Sequence, residues 1–142
     1  MIKLVRLTPE LANELLDGSG METVRETIKP EYITPLCAQK HSYAGVDVYG
    51  RVVFCVGVIE LWPERGEAWA FFSQDAGVHF MAIHRIVKRF LFARHFKRIE
   101  ATVELNFPRG IRWVEMLGFK VEAPCLAQYR EGQDYALYSF IS

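Results

Sequence analysis

The stretch from Arg51 to Leu61, RVVFCVGVIEL, limits what this chain can fold into more than any other part of it. Between Val52 and Ile59 only Gly57 is not a sizeable apolar residue. A strand with one wet face shows a polar residue at every second position, and this run shows none. Both of its faces are therefore expected to be covered, as at the centre of a sheet. Gly50-Arg51 marks a turn before the run and Pro63 to Gly66 a turn after it. The flanking segments, about Ser42 to Tyr49 and EAWAFFS (Glu67 to Ser73), read as its neighbours in the sheet. Connections this short predict an antiparallel meander of three strands.

A helix period follows. Phe80, Ile83, Val87, Phe90 and Leu91 fall on one side of a segment from Phe80 to about His95, and RIEATVE (Arg98 to Glu104) then reads as a strand. Strand, helix and strand in that order predict a right-handed parallel crossover. Upstream, IKLVRL is a short strand, and Thr8-Pro9 supplies a cap and a first helical residue for PELANELLDG. That helix carries Leu11, Leu15 and Leu16 on one face and stops at Gly18. METVRETIKP reads as a second short helix ended by Pro30, and Glu31 to His41 as irregular, with His41 a loop residue. Downstream come a helix around Gly110 to Leu117 and two strands, KVEAPCLAQY and DYALYSFI. The order β-α-α-β-β-β-α-β-α-β-β defines an α/β (α+β) class: one domain over residues 1–142, with a mixed sheet and helices on both faces.

Length and composition agree. A chain of 142 residues, 51% hydrophobic and 24% charged, is large enough to bury a core without staples. Seventeen basic residues balance seventeen acidic ones. From Arg85 to Lys120, however, nine Lys or Arg face three acids, and His84, Arg85, Lys88, Arg89 and His95 give one helix a basic side. Without net positive charge or interleaved exposed aromatics, nucleic acid is not the expected partner. Cys37, Cys55 and Cys125 are odd in number and widely spaced, which argues against a disulfide frame or a zinc site. No signal-peptide pattern or membrane-length apolar run is present, so the expected location is a cytoplasm or an assembly formed there.

With GIRWVEMLGFKVE near its end, the element order resembles the GNAT superfamily of N-acetyltransferases. The Leu117-Gly118-Phe119 after a short helix is the part that carries the likeness. RIEATV, the Arg112-Trp113 pair followed by MLGF, and YREGQDYALY are more narrowly similar to small proteins of this fold encoded in tailed-phage genomes, of the acetyltransferase-like or internal-virion type. The resemblance implies acetyl-CoA as cofactor if the protein is active. Its pantetheine arm would run along the fourth strand, which ends near Phe72, and its pyrophosphate would meet a turn of the form Gln/Arg-x-x-Gly-x-Gly/Ala. Gln74 and Gly77 occupy the first two positions, and His79 stands where the second small residue belongs. Asp75 puts a negative charge in the turn, which opposes a pyrophosphate. The alternative is a plain helix start with Ser73 or Asp75 as cap.

The resemblance also implies a Tyr four residues before Gly118 to protonate the leaving thiolate, and Val114 stands there. Asn106 falls close to a family Asn that contacts the pantetheine arm, or else caps the next helix. Glu60, Glu67 and Glu104, at or near strand ends, are the carboxylates available as a base, or are merely solvated. Two readings follow from these departures. One is a degenerate acetyl-CoA site on a virion structural or assembly component, whose partners are other phage structural proteins or further copies of itself. The other is an active N-acetyltransferase of unknown amine acceptor. Trp62, Tyr129 and the closing strand, read as an unpaired docking edge, are the expected contact surface.

Overall fold

The computed structural model describes residues 1–18, 35–93 and 95–142, which leaves the expected helix METVRETIKP outside the described residues. Its elements are β1 (Lys3–Arg6), α1 (Pro9–Gly18), β2 (His41–Val46), β3 (Val52–Trp62), β4 (Arg65–Phe72), a 3-10 turn (Gln74–His79), α2 (Phe80–Phe92), β5 (Arg98–Glu104), α3 (Pro108–Met116), β6 (Lys120–Arg130) and β7 (Gln133–Ile141). The strands hydrogen-bond in the order β1-β2-β3-β4-β5-β7-β6. The β4–β5 pair is parallel, while β1–β2, β2–β3, β5–β7 and β6–β7 are antiparallel, so the sheet is mixed, as expected.

The chain divides into two compact units, Met1–Ile59 with Trp69–Ala93 and Glu60–Ala68 with Arg94–Ser142. β3 and β4 supply residues to both.

In the first unit, β3 is buried from Val52 through Val58, which is the two-sided burial its composition requires. Ala12 and Leu15 of α1 cluster with Ala44 and Cys55, while Phe90 of α2 meets the Tyr43 ring edge-on at 5.5 Å. Tyr43 and Ala44 are neighbours along β2 and face opposite ways, so α1 and α2 cover opposite faces of this unit's strands. The loop expected at His41 is instead the first residue of β2, paired with Val58 and buried. Its place opposite a core residue explains the burial. Gly57 is required by close approach: a Cβ there would stand 2.5 Å from the Trp69 ring and 2.7 Å from the His41 carbonyl oxygen.

In the second unit, β7 pairs with β5 from Arg98↔Ile141 to Glu104↔Tyr135 on one side and with β6 on the other. The closing strand is therefore interior, which corrects the expectation that it offers an unpaired edge. The reason lies in composition. Tyr135, Ala136, Tyr138 and Ser139 of β7 are all buried, whereas β6 carries Lys120, Glu122, Pro124 and Arg130 and shows several register shifts against its partner. Charge, proline and irregularity belong at an edge. α3 starts with Pro108 and lies against β5, where Gly110 keeps its backbone close to Phe107 and Val103.

Replacing Gly57 by Ala drives a methyl into an aromatic ring and into a backbone oxygen that cannot swing away. The expected loss is about 1–3 kcal/mol, read as a lower midpoint in urea with an unchanged slope. A wild-type midpoint would show that Trp69 does not pack against Gly57.

Candidate functional site

β4 ends at Phe72, and the backbone N–H of Ser73 donates to the Val53 carbonyl at 2.8 Å, which ties the following turn to β3. Ser73 is the cap residue by position, with extended backbone, but its hydroxyl makes no capping bond; the Asp75 side chain lies outside the described residues. The 3-10 turn directs N–H groups back onto its own carbonyls, Ala76 to Ser73 at 3.2 Å and Phe80 to Gly77. Gly77 sits exposed in the turn, and a Cβ added to it would meet nothing within 4 Å. No protein atom therefore requires a glycine there, and the space beside it is open to a ligand. Gln74 is exposed, Phe72 half-buried, and His79 is the half-buried residue preceding α2.

The parallel β4–β5 ladder consists of three pairs, Arg65↔Arg98, Gly66↔Ile99 and Glu67↔Glu100. β4 continues to Phe72 and β5 to Glu104 beyond that register. Glu67 is half-buried at the last pair. Glu104, half-buried at the end of β5, shares a sheet face with Glu100 by strand alternation. Glu60 is exposed on β3. Glu67 is thus the direct cross-strand neighbour of Glu100, while Glu104 lies on the same face four residues further along β5.

Glu100 is the buried carboxylate among them, and sequence reasoning did not single it out. Arg65 donates to it through Nε and, at 3.2 Å, through Nη2; Arg98 donates through Nε at 3.0 Å and reaches Glu122 at 2.7 Å. The Arg65 hydrogen bond, followed by that of Arg98, holds the Glu100 carboxyl below the usual carboxylate range. Arg98 and then Ser139 do the same for Glu122. With both partners in place Glu100 is a poor proton acceptor, which leaves Glu67 and Glu104 as the less committed carboxylates. No signal in the sequence announced this cluster, because Arg65 and Glu100 are 35 residues apart.

Two further expectations meet the geometry. Asn106 is exposed and donates to the Gln133 side chain at 3.1 Å, while the residue capping α3 is Phe107, so Asn106 is not the cap. Val114 is buried in α3 at 5% exposure and is a core residue. A phenol that does contact α3 is Tyr138, whose hydroxyl donates to Glu115 at 3.3 Å; burial, then the Glu115 charge, push its pKa up. His84 is half-buried and its pKa is lowered by burial and by Lys88, so the basic side of α2 is carried by the exposed Arg85, Lys88 and Arg89.

Solved structures share this fold along nearly the whole chain. A chimera of the spermidine N-acetyltransferase SpeG from Vibrio cholerae with hSSAT is 16% identical with a TM-score of 0.72, covering 99% of this chain and 95% of that one. A variant of the same Vibrio cholerae enzyme is 14% identical with a TM-score of 0.71, covering 99% and 93%. An acetyltransferase of the GNAT family from Bacillus anthracis is 13% identical with a TM-score of 0.70, covering 99% and 94%. No family model and no curated protein sequence matches the chain. At these identities the likeness establishes the fold, which is that of GNAT acetyltransferases.

Val114→Tyr places the expected phenol in a filled core position. The outcome is a loss of about 1–3 kcal/mol from overpacking, and thermal unfolding checks it. Wild-type stability would mean that position 114 has room for a ring. Glu100 supplies the second test. Its pKa is lower folded than unfolded, so its stabilisation is full above the ordinary value of 4.5 and is lost as pH falls through the lowered folded value. Glu100→Gln is expected to flatten the acid limb of stability against pH, and an unchanged limb would remove Glu100 as its source.

Proposed function

We propose that the protein is an acetyl-CoA-dependent N-acetyltransferase. The observation that carries this reading is the three-pair β4–β5 ladder, after which β4 runs on to Phe72 with its β5-side backbone groups outside that register. Those are the groups that a linear amide such as the pantetheine arm would pair. Phe72 and Gln74 would border that arm, with Gly77 giving the backbone room to approach a pyrophosphate. His79 adds bulk at the next position. Asn106, already engaged with Gln133, would reach the cofactor only by exchanging that partner.

When bound, the cofactor supplies an acetyl group activated as a thioester. Glu67 is the group we assign to remove the proton from the attacking amine, because it is half-buried at the end of the ladder and, unlike Glu100, accepts no arginine hydrogen bond in the described structure, the charge of nearby Arg65 being taken up by Glu100 first. Glu104 is the alternative and Glu60 the weakest candidate, being fully on the surface. Val114 offers no proton, so catalysis here rests on positioning, on proton removal and on backbone N–H groups facing the developing oxyanion. The solved structures of this fold include spermidine acetyltransferases, which makes primary amines the first acceptors to try.

A second reading, an assembly component of a tailed-phage particle found in the virion or the host cytoplasm, is supported by β6. It is an eleven-residue edge strand, mostly exposed, with Val121 and Tyr129 at 50% and 47% exposure. Other phage proteins or further copies of the chain would be its partners, and stoichiometric presence in purified particles would be its mark.

Thermal unfolding with acetyl-CoA separates the two. At about 100 times its dissociation constant a ligand adds roughly 2.7 kcal/mol, which raises the midpoint by several degrees in a domain of this size. The shift is expected for the wild type and is expected to vanish in Gly77→Trp. Glu67→Gln is expected to keep the shift while lowering kcat by about a hundredfold with a primary amine. No shift at millimolar acetyl-CoA would end the enzymatic reading.

A further inference from the structure

Within the first unit, a cavity of about 360 Å³ opens where the end of α1, the β2–β3 turn and the 3-10 turn approach one another. Leu15 and Val78 form part of its apolar wall, and Glu14, Arg51, Ser73 and His79 are its polar groups. Among the described residues, no side-chain hydrogen bond or ion pair engages Glu14, Ser73 or His79. Asp47, which also lines the cavity, is already committed: its carboxylate accepts from the N–H of Tyr49 at 2.9 Å, the N–H of Arg51 at 3.0 Å and Nε of Arg51 at 3.2 Å. The two terminal nitrogens of Arg51 are left over, with the guanidinium held above the Tyr49 ring at 5.3 Å. One cavity thus offers an uncommitted carboxylate, an uncommitted pair of guanidinium nitrogens, an imidazole and a hydroxyl, with an apolar wall beside them.

We propose that this cavity binds a small zwitterion of the α-amino acid class. Its ammonium pairs with Glu14, its carboxylate with the terminal nitrogens of Arg51 and with His79, and its side chain lies on Leu15 and Val78. The charges select this class. A simple carboxylate would answer Arg51 and His79 but leave Glu14 unpaired beside it, and a simple amine would answer Glu14 but leave Arg51 and His79 unpaired. Size selects it too. The volume lies near the small end of the ~300–1,000 Å³ range of ligand pockets, which suits an amino acid better than a nucleotide. The inference goes beyond the acetyltransferase reading, since it uses no acetyl-CoA and stands if that reading fails.

The test is a titration of the full chain followed by amide NMR, using leucine, isopentylamine (leucine without its carboxylate) and 4-methylpentanoate (leucine without its ammonium). Leucine is expected to move the amides of Glu14, Arg51 and Val78 saturably in the millimolar range, with each half-molecule binding at least about tenfold more weakly. Glu14→Gln, at an exposed position, is expected to weaken leucine binding by about tenfold while keeping wild-type amide dispersion. Absence of a saturable shift would overturn the proposal. So would a half-molecule that binds as tightly as leucine, or a folded Glu14→Gln that binds leucine unchanged. Should that variant not fold, the comparison of the three compounds on the wild-type chain decides the matter alone.

Discussion

The three-pair parallel ladder between β4 and β5, with Arg65 and Arg98 clamped on Glu100, is the constraint on which the second unit depends. A parallel pair this short has few backbone hydrogen bonds to hold its register. A forked arginine–carboxylate contact reinforces it with directional, charge-assisted bonds. Arg65 is half exposed while Glu100 is nearly covered, so the pair keeps part of its hydration and avoids most of the desolvation cost of a fully buried ion pair. The Glu64 carbonyl adds to this clamp by accepting the N–H groups of Lys97 and Arg98 at 2.8 and 3.0 Å, which fixes the β3–β4 turn to the start of β5. Glu64 holds this position with a positive φ of 72°, a conformation that a non-glycine residue adopts only when its surroundings enforce it.

The same clamp divides the carboxylates by role. Glu100, on the third pair, is occupied by two arginines and serves structure, while Glu67 opposite it is not so occupied. Two chemically identical groups, directly opposite each other in the ladder, thereby stand in different surroundings, and the paired arginines hold the Glu100 carboxyl below the usual carboxylate range. A fold shared with GNAT acetyltransferases leaves the chemistry to be argued at such local differences, and Val114 is one of them: the position that would carry an acid is filled by a side chain that α3 needs for packing.

Elements with a strong period were legible in the sequence. The apolar run became β3, the spacing of Ile83, Val87, Phe90 and Leu91 became the buried side of α2, and Arg98 to Glu104 became β5 at the expected residues. What was not legible depended on pairing at long range. The interior place of β7, the burial of His41 against Val58 and the bond from Asn106 to Gln133 all require knowing which strand lies beside which. The candidate site divides in the same way. Gln74, Gly77 and His79 could be read as a local pattern, whereas the Arg65–Glu100–Arg98–Glu122 cluster draws on three strands that no spacing rule connects.

The interior position of β7 also orders events in time. β6 reaches β5 only through β7, yet it precedes β7 in the chain and cannot hydrogen-bond into the sheet until β7 has been made. During synthesis, at about 5–20 residues per second, β6 therefore emerges without a partner strand, waiting on the one that will join it to the sheet. The charges, the proline and the irregular register of β6 limit what it can pair with during that interval. The features that blunt this edge in the finished protein are then also a safeguard while the chain is still being built.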